Sequence, residues 1–150
     1  MFDRRGFLLL AAVVMAAPAL AVQQVSIDDG EIRYAVFGPE EGRAIILLAA
    51  DVNAFAAITG PLAAQGFRVI VPYLRGQDEA VQGQDVLELM NALHIPEAVL
   101  AGVDVGGRVA IRAAALKPSR CVGLVSLNTA PQAGFAEAVG VMAKTGHWRT

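Results

Sequence analysis

Asp104 is the most chemically pointed residue of this sequence, a carboxylate set among small neighbours in Leu100-Ala-Gly-Val-Asp-Val-Gly-Gly-Arg108. An apolar run of strand length precedes it and an Ala-rich run follows, so it falls at a strand-to-helix turn. Gly102 and Gly106 stand two positions before and after it, and Gly107 comes next. This is the pattern G-x-nucleophile-x-G, a turn so sharp that flanking side chains would collide, with the central one left projecting above a sheet. Aspartate in that place selects the chemistry. A carboxylate gains nothing by attacking an ester or amide, because the anhydride formed is no easier to break. It can displace a leaving group at saturated carbon, and the product is an ester at Asp104. Free N–H groups at the start of the next helix favour the charged form that such a nucleophile needs.

Other residues carry less. Asp is also a favoured helix N-cap, but the paired glycines and the strand in front favour the nucleophile position for Asp104. The Gly102 to Gly107 spacing is not G-x-G-x-x-G, and a carboxylate inside it would repel a pyrophosphate, so no dinucleotide is expected. Arg108 and Arg112 read as the solvent edge of a helix, and Cys121, with no base or cation beside it in sequence, as core. His94 ends a helix, where an imidazolium meets a favourable dipole. His147 lies in the tail beside Trp148 and Arg149, with nothing to fix it relative to Asp104. Asp51 and Asp85 read as a loop residue and a helix-start residue. No cofactor and no metal is expected.

The elements that must position Asp104 follow from the apolar pattern. Val25 to Gly38 alternates around Asp29-Gly30, as a hairpin does. Continuous apolar runs at Arg43 to Ala49, Phe67 to Val71, Glu97 to Gly102 and Cys121 to Leu127 read as strands covered on both faces. Between them, Phe55 to Gln65, Val81 to Leu93 and Gly106 to Lys117 read as helices, the first weakened by Gly60-Pro61. The expected class is α/β, an open and mostly parallel sheet with an N-terminal antiparallel hairpin, helices on both faces, and its site at the carboxyl ends of the strands. Ala130 to Thr150 is Ala/Gly-rich and contains no further strand pattern.

Several runs in order resemble the α/β-hydrolase superfamily, in the branch of epoxide hydrolases and haloalkane dehalogenases. They are Ile32-Arg-Tyr, Gly66-Phe-Arg-Val-Ile-Val-Pro-Tyr-Leu-Arg-Gly76, Asp85-Val-Leu-Glu-Leu-Met-Asn-Ala-Leu93, the Asp104 turn, and Gly123-Leu-Val-Ser-Leu-Asn-Thr-Ala-Pro131. The resemblance spans about residues 25 to 131. It implies an α/β-hydrolase fold, Asp104 as nucleophile, the Val105 backbone N–H as an oxyanion donor, and a small-molecule substrate. Two departures stand out. Ala49-Ala50-Asp51-Val52 replaces the family's His-Gly-x-Pro, whose backbone helps form the oxyanion hole, and Asp51 brings a second negative charge to that turn. Tyr73 stands where the family has Asp in Pro-Asp-x-Arg-Gly. In the family, the general-base histidine, its acidic partner and the cap come after the point corresponding to the last strand here. The fold is thus expected to stop after the strand that follows the elbow helix. Two readings result: a hydrolase with an Asp nucleophile, or a truncated, non-catalytic remnant of the same fold.

Composition fits one domain. The 150 residues are 55% hydrophobic and 17% charged, with a formal charge of −2. No basic cluster points to nucleic acid. One cysteine allows no internal disulfide. Met1 to Ala21 combines Arg4-Arg5, an apolar run from Phe7 and a small-x-small end at Ala19-Leu20-Ala21, the form of an export signal with twin-arginine character. The expected division is therefore 1–21 as signal and 22–150 as a partial hydrolase domain, exported to the periplasm or secreted. A Val/Leu-rich last strand left as a sheet edge predicts self-association through it.

Overall fold

In the computed structural model, residues 22–128 are described. They form a six-stranded sheet: β1 (Val22–Ile27), β2 (Gly30–Phe37), β3 (Ala44–Leu48), β4 (Arg68–Pro72), β5 (Ala98–Val103) and β6 (Cys121–Leu127). Its order is β1-β2-β4-β3-β5-β6. β1 and β2 are antiparallel, as are β2 and β4, whereas β4, β3, β5 and β6 run parallel. The change from hairpin to parallel sheet is the one expected from the shift of alternating to continuous apolar runs. The hairpin turn differs from expectation by one residue. Ile27 pairs with Gly30, so Asp28-Asp29 form the turn. Gly30 supplies the positive φ of 121° at its exit, which aspartate in the turn does not.

Among the described residues, three α-helices cover the sheet: α1 (Ala56–Ala64), α2 (Glu79–Ala92) and α3 (Val105–Leu116). α2 and α3 lie on one face, where Val86, Leu89, Met90, Val109, Ala110 and Ala113 pack on Ile46, Leu48, Ile70 and Leu100. Gly83 makes the close crossing of these helices possible, since a methyl there would stand 2.9 Å from Arg112 Cβ. The opposite face holds a smaller cluster, with Leu62 of α1 and Phe55 packed against Leu47, Val69 and Val71. α1 is apolar on nearly every side, and its Ile58 is exposed.

The helix ends obey local rules. Asp78 caps α2 by accepting from Ala80 N–H at 2.9 Å, so the helix starts two residues before the predicted Val81. It closes in a Schellman arrangement, Ile95 N–H to Met90 O and His94 N–H to Asn91 O, with His94 at φ 56° in the place usually held by glycine. α1 closes the same way with Gly66, φ 91°.

Asp85 is a correction. It sits in the interior of α2, buried, and not at the helix start. Arg75 grips it with Nε at 2.9 Å and Nη2 at 2.8 Å, and donates Nη1 to the Asp29 carbonyl at 2.7 Å. The guanidinium thus ties α2, the loop after β4 and the hairpin turn together. The neighbouring carboxylate raises the Arg75 pKa above its ordinary value through that hydrogen bond, partly opposed by burial.

Candidate active site

The sheet registers bring three strand tips level. Leu48 pairs with Gly102, Gly102 with Ser126, and Val103 with Leu127. The segments that leave these tips, from Ala49, Asp104 and Asn128, therefore lie side by side at the carboxyl ends of β3, β5 and β6. That is where an open α/β sheet carries its site.

Asp104 leaves β5 with φ 54° and ψ −122°, a strained backbone for a residue with a side chain. Its N–H donates to Leu127 O at 3.0 Å, and its carbonyl accepts from Arg108 N–H at 3.3 Å as α3 begins. Gly102 and Gly106 are buried, and Asp104 between them is exposed. A Cβ on Gly102 would meet Gly106 O at 2.2 Å, and one on Gly106 would meet Leu48 O at 1.8 Å and Ala49 N at 2.6 Å. Gly107 is buried behind them. Gly102 and Gly106 are thus required sterically, the first by the turn itself and the second by the chain leaving β3, which presses on it.

Asp104 occupies the N-cap position of α3, yet its side chain makes no capping hydrogen bond. The Asp104 carboxylate instead accepts from Asn128 Nδ2 at 2.5 Å. Asn128 is itself in a left-handed conformation, φ 56°. Val105, the next residue, starts α3, and its N–H belongs to the unpaired first turn of that helix.

The other candidates are placed elsewhere. Asp51 is exposed and turns its carboxylate to Asn53 N–H at 2.9 Å, capping a 3-10 turn at Val52–Phe55. His94 lies before β5, at the opposite end of the sheet from Asp104. Six strand residues at about 3.3 Å each put roughly 20 Å between those ends, so His94 cannot reach the carboxylate. Arg108 is engaged by Glu79 at 2.6 Å. Cys121 is 1% exposed, its thiol donates to Gly123 O, and burial pushes its pKa up. Tyr73 donates its N–H to Arg33 O at 2.9 Å, and the Arg33 guanidinium stands 4.9 Å from its ring. His147 lies outside the described residues, as does the export-like segment 1–21. Among the described residues, no cluster of three or more His, Cys, Asp or Glu is placed to hold a metal. An apolar cavity of about 220 Å³ opens between β2, β4 and the 3-10 turn, lined by Ala35, Phe37, Val52, Ala56, Thr59 and Val71. Asp104 does not line it.

The strand order and the elbow between β5 and α3 agree with a wider comparison. The alpha/beta hydrolase fold profile matches residues 48–150. The chain belongs to this family. Among solved structures it is similar to a candidate epoxide hydrolase from Klebsiella pneumoniae, with 38% identity and a TM-score of 0.67 over 71% of this chain and 41% of that one. A candidate epoxide hydrolase from Pseudomonas aeruginosa is 26% identical, with a TM-score of 0.65 over 76% of this chain and 43% of that one. The enol-lactonase of Burkholderia xenovorans LB400 shares the fold at 24% identity, with a TM-score of 0.61 over 66% of this chain and 44% of that one. The chain thus spans about two fifths of the length of these hydrolases.

Asn128 is the site residue that sequence reasoning did not single out. It stands in the Gly123 to Pro131 run that carries the family resemblance, but its place beside Asp104 depends on the register of β5 and β6.

Proposed function

We propose that this α/β hydrolase carries the nucleophile of an epoxide-hydrolase or dehalogenase type of reaction, with Asp104 attacking saturated carbon. The observation that carries the reading is the backbone of Asp104: strained, held between two glycines with no room for a Cβ, and presenting an exposed, uncapped carboxylate at the carboxyl end of a parallel sheet. Strain of this kind persists where the surrounding structure enforces it, and here it aims a charged side chain out of the elbow.

In the reaction proposed, one Asp104 oxygen forms a bond to the carbon of an epoxide as the ring C–O bond breaks, and the ring oxygen leaves as an alkoxide that takes a proton from water. With an alkyl halide the carbon–halogen bond breaks and halide departs. Either path leaves an ester at Asp104. The Val105 N–H is suited to stabilise the oxyanion formed when water later attacks that ester. Hydrolysis requires a base that activates the water, and His94, the one histidine among the described residues, does not reach the ester. The Ala49-Ala50-Asp51 turn favours a second reading, in which the elbow persists without catalysis.

Incubation with an epoxide or an alkyl bromide, followed by intact mass and peptide mapping, separates the readings. The first expects one adduct on Asp104, absent in Asp104→Asn. Absence of any adduct overturns it and favours the non-catalytic fold, whereas continuous turnover would reveal a base in the chain. We also propose export, on the sequence of residues 1–21 alone; recovery of a chain beginning at Val22 from the periplasm or medium would support it, and an intact cytosolic Met1 would refute it.

A further inference from the structure

The parallel register of β5 and β6 makes Asp104 and Asn128 equivalent residues, each the first beyond its strand, since Val103 pairs with Leu127. Both have a positive φ, 54° and 56°. Among the described residues, His94 at the far end of the sheet is the only other residue with a side chain in that region. Two bonds join Asp104 to the end of β6: its N–H donates to Leu127 O at 3.0 Å, and its Oδ1 accepts from Asn128 Nδ2 at 2.5 Å. The direction of the second is fixed by chemistry, because an ionised carboxylate only accepts and the amide must present its NH₂.

We propose that Asn128 is a positioning residue for Asp104, which pins Oδ1 and leaves Oδ2 as the attacking oxygen. The proposal rests on the nucleophile reading of Asp104 given above. An exposed carboxylate is otherwise free to rotate about its χ2 bond, and most of its orientations aim no lone pair along the line of displacement. A charge-assisted bond from a side chain on the neighbouring strand removes that freedom without covering the second oxygen. The left-handed backbone at Asn128 turns the chain as it leaves β6, and Asn is among the residues that tolerate it best.

Asn128→Gly is the variant of choice, because glycine adopts φ 56° freely and only the amide is lost. Single-adduct formation on the full chain should slow about tenfold in the maximal alkylation rate, with the reagent concentration for half-maximal rate unchanged. Asn128→Asp keeps the shape but faces one carboxylate with another. Its alkylation should be slower still at pH 8, where two ionised carboxylates face each other and neither can donate. A variant alkylated at the wild-type rate overturns the inference. A readout independent of reactivity is the side-chain amide resonance of Asn128 in nitrogen–proton NMR. It should shift in Asp104→Ala if the bond exists, and its constancy would overturn the proposal even if Asp104 proves reactive. Failure of the wild-type chain to alkylate, with the resonance shifting as expected, would instead count against the nucleophile reading.

Discussion

Gly102 and Gly106 face each other across the elbow so closely that a methyl group on the first would lie 2.2 Å from the carbonyl oxygen of the second. Gly106 in turn lies against Leu48 O and Ala49 N, so the tip of β3 packs on the same turn. These neighbours are backbone atoms, which cannot rotate away as a side chain would. Gly106→Ala should therefore lose about 4 kcal/mol or more, at the exceptional end for a single substitution, or fail to fold. Gly102→Ala should behave similarly. Urea unfolding gives the measurement, and a loss below about 1 kcal/mol would mean that the elbow relaxes more easily than its packing implies.

Asp104 itself should be replaceable with a gain in stability. A residue with a side chain held in a disfavoured backbone region costs on the order of 1–3 kcal/mol, and glycine does not incur that cost. Asp104→Gly also removes the bond from Asn128, which is exposed and contributes little. The net expectation is a rise of about 1 kcal/mol in unfolding free energy, with m unchanged and with alkylation abolished. A loss of stability would show that the carboxylate is held for structural reasons, as a cap would be.

How much of this was legible before the structure depends on whether a feature is local. The strands at Ala44–Leu48 and Cys121–Leu127 could be read because a continuous β-branched and leucine-rich run admits few alternatives between turn residues. The elbow could be read because Gly102, Asp104 and Gly106 lie within five residues. Asp85 was misread for the opposite reason: its partner is ten residues away in sequence, across a loop, and nothing in its neighbourhood announces burial. The hairpin turn slipped by one because Asp28, Asp29 and Gly30 are all turn residues, and only the pairing of Ile27 with Gly30 decides among them. Asn128 is a matter of register between two strands, which no local pattern encodes.

The Arg75–Asp85 pair makes a structural prediction of its own. Asp85 is 10% exposed at its side chain and Arg75 29%, and the contact is bidentate. Removing the carboxylate leaves a partly buried guanidinium with its bonds to α2 lost, so Asp85→Ala should lower stability by about 2 kcal/mol. Arg75→Lys should recover little of the wild-type stability, because an ammonium cannot donate along two parallel lines or also reach the Asp29 carbonyl. A double-mutant cycle gives the coupling, and a value near zero would mean that the pair is a surface contact of no consequence.

Cys121 offers a test of the core through pH. Burial raises the pKa of its thiol above the ordinary value of 9.0, against smaller opposing effects of nearby backbone groups. From the unfolded pKa upward, the unfolded chain loses its proton first while the folded chain keeps it. The unfolded state then binds fewer protons, and stability must fall as pH rises. Below that pH both states are protonated and Cys121 contributes no slope. Comparing urea midpoints of wild type and Cys121→Ala between pH 7.5 and 10 isolates this contribution, because the packing loss in the variant does not depend on pH. The wild type should lose stability more steeply above about pH 9. A disulfide reagent should label the thiol only through unfolding, at a rate that rises with urea. Fast labelling of the native chain would show that the start of β6 opens readily and that the core between β5, β6 and α3 is looser than its burial indicates.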